Sequence, residues 1–150
     1  MQEHLTSLSV VVLAAFCLSV VATPAMAADP IDERVNGFKS SKHAIADIRD
    51  ALTTGNSAAI TVSARSLAAF AVTMPSLFPQ GSNGFFSRAS GDIWRNFPDF
   101  EAKARIFQDS ASALADLASK NAEQALLNDA FGKLTTSCKS CHDAYRRGIF

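Results

Sequence analysis

The stretch TTSCKSCHDAYRRGIF sets Cys138 and Cys141 three residues apart, with His142 directly after the second thiol. On a helix, positions three and four apart share a face, so all three side chains would project to one side. Two thiols on one turn can add to the two vinyl groups of a haem as thioethers, and the adjacent imidazole can then reach the iron as an axial ligand. Three other chemistries compete for the same residues. A disulfide between i and i+3 of a helix would be strained and would close only a tiny loop. A thioredoxin-like redox pair wants a β-α-β setting, and zinc would need a fourth ligand that neither His43 nor His4 obviously supplies. Haem attachment is the reading that fits the spacing best.

A haem iron held by His142 leaves a sixth position to be filled by a thioether, a second imidazole or an amine, or left open. After the leader described below, Met74 is the one methionine remaining, and it falls at the end of a helix where a core side chain is expected. His43 points away from the inner stripe of its helix, and Lys42 would be an unusual ligand. No good sixth donor is visible.

The elements that must position this motif read as helices. Apolar residues recur at helical spacing, with no sustained alternation of β-branched residues. A first helix opens at ADPIDERV, with Asp29 as N-cap, Pro30 in the first turn and acids following. Ile31, Phe38, Ile45 and Leu52 fall seven apart along it, and Gly55-Asn56 ends it. Ser41 and Lys42 interrupt this stripe, which suggests space left for something other than side chains. A second helix spans about Ser57 to Met74, with Ile60, Leu67 and Met74 on one face. Ala58, Val62, Ala69 and Val72 form a second apolar face, which suggests a partner subunit. A long Pro-, Gly- and Ser-rich stretch follows, PSLFPQGSNGFFSRASGDIW, of the kind that tends to be functional or to cover something. A third helix starts near Pro98 and carries Phe100, Phe107 and Leu114. A fourth, capped by Asn121, sets Leu127, Phe131, Leu134, Cys138, Cys141 and Tyr145 on one stripe. Four helices joined by three connections predict an all-α, antiparallel four-helix bundle with covalently attached haem.

Ahead of this bundle, an apolar run from about Leu8 to Val21 leads to Pro24 and the triplet Ala25-Met26-Ala27. That pattern predicts a secretory signal over residues 1–27 and a single domain over 28–150, exported to the periplasm, with no stable membrane insertion after cleavage. The n-region carries no Lys or Arg. The chain holds 14 Lys and Arg against 14 Asp and Glu, so its formal charge is zero. It shows no basic run, which argues against nucleic acid as a partner.

Taken together, CKSCHDAYR in the last helix, RVNGF in the first, PSLFPQGS after the second and DIW…F before the third resemble the cytochrome c′ family of class II c-type cytochromes. The resemblance covers essentially all of the chain after the signal. It implies one haem c, held by Cys138 and Cys141, with His142 as the axial ligand to the iron. Arg146, one turn on, resembles the family's proximal-side arginine, and Arg34 the arginine placed near a haem propionate. Phe38 falls at the distal position, where low-spin relatives have methionine. Since phenylalanine has no lone pair to donate, the resemblance implies high-spin, five-coordinate iron. Trp94 is expected to pack against the haem, although Ser90 stands where many relatives have proline just before it. Family members are commonly homodimers through the first two helices, in agreement with the second apolar face.

These features predict a gas carrier or scavenger for nitric oxide or carbon monoxide, capable of one-electron transfer with an unknown redox partner. The alternative is a plain periplasmic electron carrier of the low-spin type. An enzyme is not expected, since no distal His or Arg acid–base pair is in view.

Overall fold

The computed structural model describes residues 29–84 and 87–148. The expected signal segment, residues 1–27, lies outside the described residues. Helix α1 runs Pro30–Thr54, α2 Ser57–Thr73, α3 Asp92–Arg95, α4 Phe97–Ser119 and α5 Gln124–Tyr145, with a 3₁₀ turn at Met74–Leu77. The four long helices form the bundle. The two short elements, α3 and the 3₁₀ turn, break up the stretch that composition alone makes a loop.

Local chemistry accounts for the boundaries. The Asp29 carboxylate accepts from the Ile31 amide at 2.8 Å, satisfying one of the free donors that open α1. At the other end Gly55 adopts φ 70°, a left-handed conformation that costs glycine little and closes the helix. Asn56 then accepts from the Ala59 amide and starts α2. The expected cap at Asn121 is not found. Asn121 itself takes φ 51° in the turn between α4 and α5, and Glu123 precedes the first residue of α5. Asparagine tolerates that left-handed conformation better than other side chains, so it serves the turn instead of the cap.

Packing runs from α1 to α2, α2 to α4 and α4 to α5, while α1 and α5 scarcely touch. Small residues set the closest approach: Ala64 and Ala71 of α2 and Ala104 and Ala111 of α4 are all buried. Two cores result. One holds Ile48, Ile60, Leu114 and Leu134, and the other, at the loop end, holds Met74, Phe78, Ile93, Phe100 and Tyr145. They do not merge between α1 and α5, and that gap is the cavity described below. The segment Ser57–Leu77 is long and apolar enough to cross a membrane, at mean hydropathy 1.3. Ile60, Ala64, Leu67 and Ala71 nevertheless turn one side of it into the bundle core. The outer side is bare: Val62 is 70 % exposed and Val72 60 %.

Candidate functional site

The inner side of α1 divides in two. Ala44, Ile48 and Ala51 are buried against the bundle, while Arg34, Phe38, Ser41, Lys42 and Ile45 line a cavity of about 810 Å³. Ser41 satisfies its hydroxyl within the helix, donating to the Gly37 carbonyl at 2.8 Å. The cavity volume lies within the ~300–1,000 Å³ usual for small-molecule and cofactor sites. Leu67, Met74, Phe78, Ile93, Phe100 and Phe107 give it apolar walls.

Cys138, Cys141 and His142, from the last turns of α5, all line this cavity. Both thiols are free and half-buried. Burial raises both, with Cys141 pushed up to about 11. They are therefore neutral thiols near pH 7. Among the described residues, no group of three or more His, Cys, Asp or Glu could hold a bare metal ion. His142 is shifted the other way. Burial lowers its pKa most and the Arg146 charge lowers it next; Asp143 pulls the other way, and Arg88 adds the smallest lowering. The neutral imidazole is thus favoured, which is the form with a lone pair for a metal.

Across the cavity the Phe38 ring faces the His142 ring, 6.3 Å between centroids at an interplanar angle of 65°. Phe38 is held from behind by Phe70 of α2, edge to face at 5.2 Å. Gly37 makes that contact possible, since a Cβ there would fall 2.1 Å from the Phe70 ring. The slot between α1 and α5, with two thiols and an imidazole on one wall and apolar side chains around it, is one whose residues fit a haem.

Arg34 is 3 % exposed. Its guanidinium donates to the Leu77 carbonyl at 2.9 Å and to the hydroxyls of Ser82 and Ser87 at 2.7 Å each, and it also bonds the Ser82 carbonyl. It lies 4.5 Å over the Phe78 ring. Among the described residues no carboxylate comes within 4.0 Å of it. A buried cation with only neutral partners is costly, so an anionic group at the cavity edge beside it would be strongly favoured. Sequence reasoning reached Arg34 but missed Ser82 and Ser87, the two hydroxyls that bind it.

Arg146 closes α5, its amide bonding the His142 carbonyl at 3.0 Å, and lines the cavity. It pairs in an antiparallel bridge with Ala89. The Ser90 amide bonds the Tyr145 carbonyl at 2.9 Å, and the Arg147 amide the Arg88 carbonyl at 2.8 Å. The loop is thus sewn to α5 beside the CKSCH motif. Arg147, adjacent to the residue singled out, adds side-chain bonds to the Ser87 and Asn83 carbonyls and was missed. Tyr145 falls on the inner stripe of α5, as its spacing predicts. It is buried and donates to Asp99 at 2.6 Å, and its pKa is raised to about 12, by burial first and then by Asp99.

Trp94 is not among the residues that line the cavity. Its indole N–H donates to the carbonyls of Phe78 and Pro79, 3.0 Å each, and its ring packs on the loop-end core. Phe78, which Trp94 holds by its backbone, supplies the wall instead.

An antiparallel four-helix bundle with a CxxCH motif opening into an apolar slot defines a class II c-type haem protein. The family description "Cytochrome C'" matches residues 29–146, and the chain belongs to that family. It accordingly binds covalently attached haem c. It is 30 % identical over 84 residues to cytochrome c' of Rhodospirillum rubrum, covering 55 % of this chain and 56 % of that protein. With cytochrome c-556 of Agrobacterium fabrum it shares 35 % identity over 92 residues, 61 % of this chain and 60 % of that one. The chain thus spans little more than half the length of these curated relatives. The solved cytochrome c prime from Shewanella frigidimarina superposes with a TM-score of 0.73 at 31 % identity, covering 81 % of this chain and 96 % of that one.

Proposed function

We propose that this chain is a periplasmic monohaem cytochrome c′ with five-coordinate, high-spin iron that binds nitric oxide or carbon monoxide and also passes single electrons. The observation that carries this reading is Phe38 facing His142 across the slot, a side chain with no donor atom opposite the one imidazole. Haem, when bound, supplies an iron that takes diatomic gases and cycles by one electron. Cys138 and Cys141 would hold it as thioethers and His142 would be its axial ligand. Arg34 would balance a propionate from its place under the loop, and Arg146 would flank the imidazole. Met74, 3 % exposed, is packed in the loop-end core and is read as a wall residue.

Phe38 would crowd the distal side and set which ligands enter and how fast. An apolar distal side favours nitric oxide and carbon monoxide, which need no hydrogen-bond donor, over dioxygen, which gains from one. A variant cytochrome c prime from Alcaligenes xylosoxidans, a neighbour in fold, has been solved as a nitric oxide complex. The reading is of a carrier and not an enzyme: His142 is the sole histidine among the described residues lining the cavity. Residues 1–27 are read as the export signal and 28–150 as the domain. The bare outer face of α2 is read as the homodimer contact, α1 contributing. A structural relative at 28 % identity shows ligand-controlled dimer dissociation.

An absorption spectrum tests the proposal. A high-spin spectrum that shifts with carbon monoxide and nitric oxide is expected. A low-spin, six-coordinate spectrum in both oxidation states would overturn it in favour of a plain electron carrier.

A further inference from the structure

The chain is formally neutral, yet its charges are sorted. Seven of its 14 Lys and Arg line the cavity beside CKSCH, and no carboxylate among the described residues does. Lys39, Lys42 and Arg49 stand on the α1 bank, with Arg88 and Arg146 on the opposite bank formed by the loop and the end of α5. These five are exposed, and none has a carboxylate within 4.0 Å among the described residues. The other two are committed: Arg34 to the loop, and Lys103 near Asp99 at 3.8 Å. The two propionates of a haem would neutralise two charges at most, and buried Arg34 is already placed for one of them. Several exposed cations therefore remain around the opening without a partner in this chain.

We propose that this basic rim is the docking surface for an acidic, one-electron-donating protein. The inference rests on the cavity holding haem, as proposed above, though not on gas binding. Steering by opposite charge raises the encounter rate and orients the partner, and a neutral molecule with its cations gathered at one opening is suited to both. One electron would pass from the partner's reduced centre to ferric iron at that opening, with no proton or group transferred. A small anion is the competing occupant, but cations spread over two banks and three segments suit an extended acidic face better than a compact ion.

The test uses the haem-loaded protein and an acidic flavodoxin as probe, titrated by calorimetry at low and at near-physiological salt. Binding at low salt should weaken steeply at the higher salt, where charges are screened beyond about 8 Å. Lys39→Glu with Arg49→Glu should weaken it by at least about tenfold. Lys120→Glu with Lys133→Glu, an equal charge change away from the cavity, should leave it within about twofold. Equal losses in the two variants, or binding insensitive to salt, would overturn the proposal. So would no flavodoxin binding together with inorganic phosphate binding that the first variant abolishes, which would assign the rim to a small anion. Carbon monoxide spectra of the unaltered protein are read separately. Their failure with docking intact would remove the gas reading alone.

Discussion

Gly37→Ala tests whether the distal wall is built as described, because the sign of its effect is decided by one contact. Gly37 is a helical residue of α1 with no positive φ, so on helix propensity alone alanine should stabilise by roughly 0.5–1 kcal/mol. The packing predicts the opposite. The added Cβ would lie 2.1, 2.6 and 2.7 Å from three carbons of the Phe70 ring, separations that no carbon pair sustains. Phe70 cannot simply swing aside, since it packs against both cores and edge-on to Phe38. Overpacking of this kind costs roughly 1–3 kcal/mol. The net expectation is a destabilisation centred on about 1 kcal/mol and reaching about 2.5 kcal/mol after the propensity gain. Urea unfolding of the haem-loaded protein, followed by far-ultraviolet circular dichroism, measures it. Pairing Gly37→Ala with Phe70→Ala supplies the control: with the ring gone, the alanine should revert to neutral or stabilising, a coupling of about 1 kcal/mol or more between contacting sites. If Gly37→Ala alone is as stable as the parent, the Phe70 ring does not lie where it must to hold Phe38, and the account of the distal wall falls with it.

Three further outcomes are expected. Phe38→Met places a thioether opposite His142 and should convert a high-spin spectrum to a low-spin one that binds carbon monoxide poorly; an unchanged spectrum would show that position 38 does not face the iron. Arg34→Lys should lose roughly 2–4 kcal/mol despite keeping its charge, because an ammonium cannot reproduce the forked bonds to Leu77, Ser82 and Ser87. Hydrogen exchange should then quicken over residues 77–91 first, and uniform exchange would refute the loop-clamp role. In alkali, the folded chain holds the Tyr145 proton to about 12, above the ordinary value of 10.0. The native state therefore binds more protons than the unfolded state between these values. Stability should be intact below pH 10 and fall as pH rises toward 12, with Tyr145→Phe flattening the decline in urea titrations.

The bundle was legible because its signals are local. Helical spacing, the Asp29 cap and the Gly55 stop each depend on a few neighbouring residues, and the structure shows all three. The CKSCH motif is legible for the same reason: two thiols and an imidazole on one turn share a face whatever else the chain does. What the loop region does depends on where the long loop travels. Trp94 sits two residues past Asp92 in a short helix that composition does not announce, and its N–H finds the carbonyls of Phe78 and Pro79 only because the loop doubles back there. Arg34 is legible as a special residue, one turn before Phe38. Its partners lie 43 to 53 residues away, and no periodicity encodes them.

The α1 stripe shows the limit most clearly. A seven-residue repeat marks Ile31, Phe38, Ile45 and Leu52 as one inner face, yet Ile48 is the α1 side chain that becomes fully buried, and Phe38 remains 36 % exposed. A helix flanking a cofactor has two inward directions, one toward protein and one toward the cofactor, and residues of both kinds are apolar. Hydrophobic periodicity cannot separate them. Charge can: on α1, Lys39, Lys42 and Arg49 all fall on the cavity bank, while Ala44, Ile48 and Ala51 fall on the protein side. The polar interruption at Ser41 and Lys42 is thus the more informative part of the helix, because side chains that pack against other side chains have no reason to carry it.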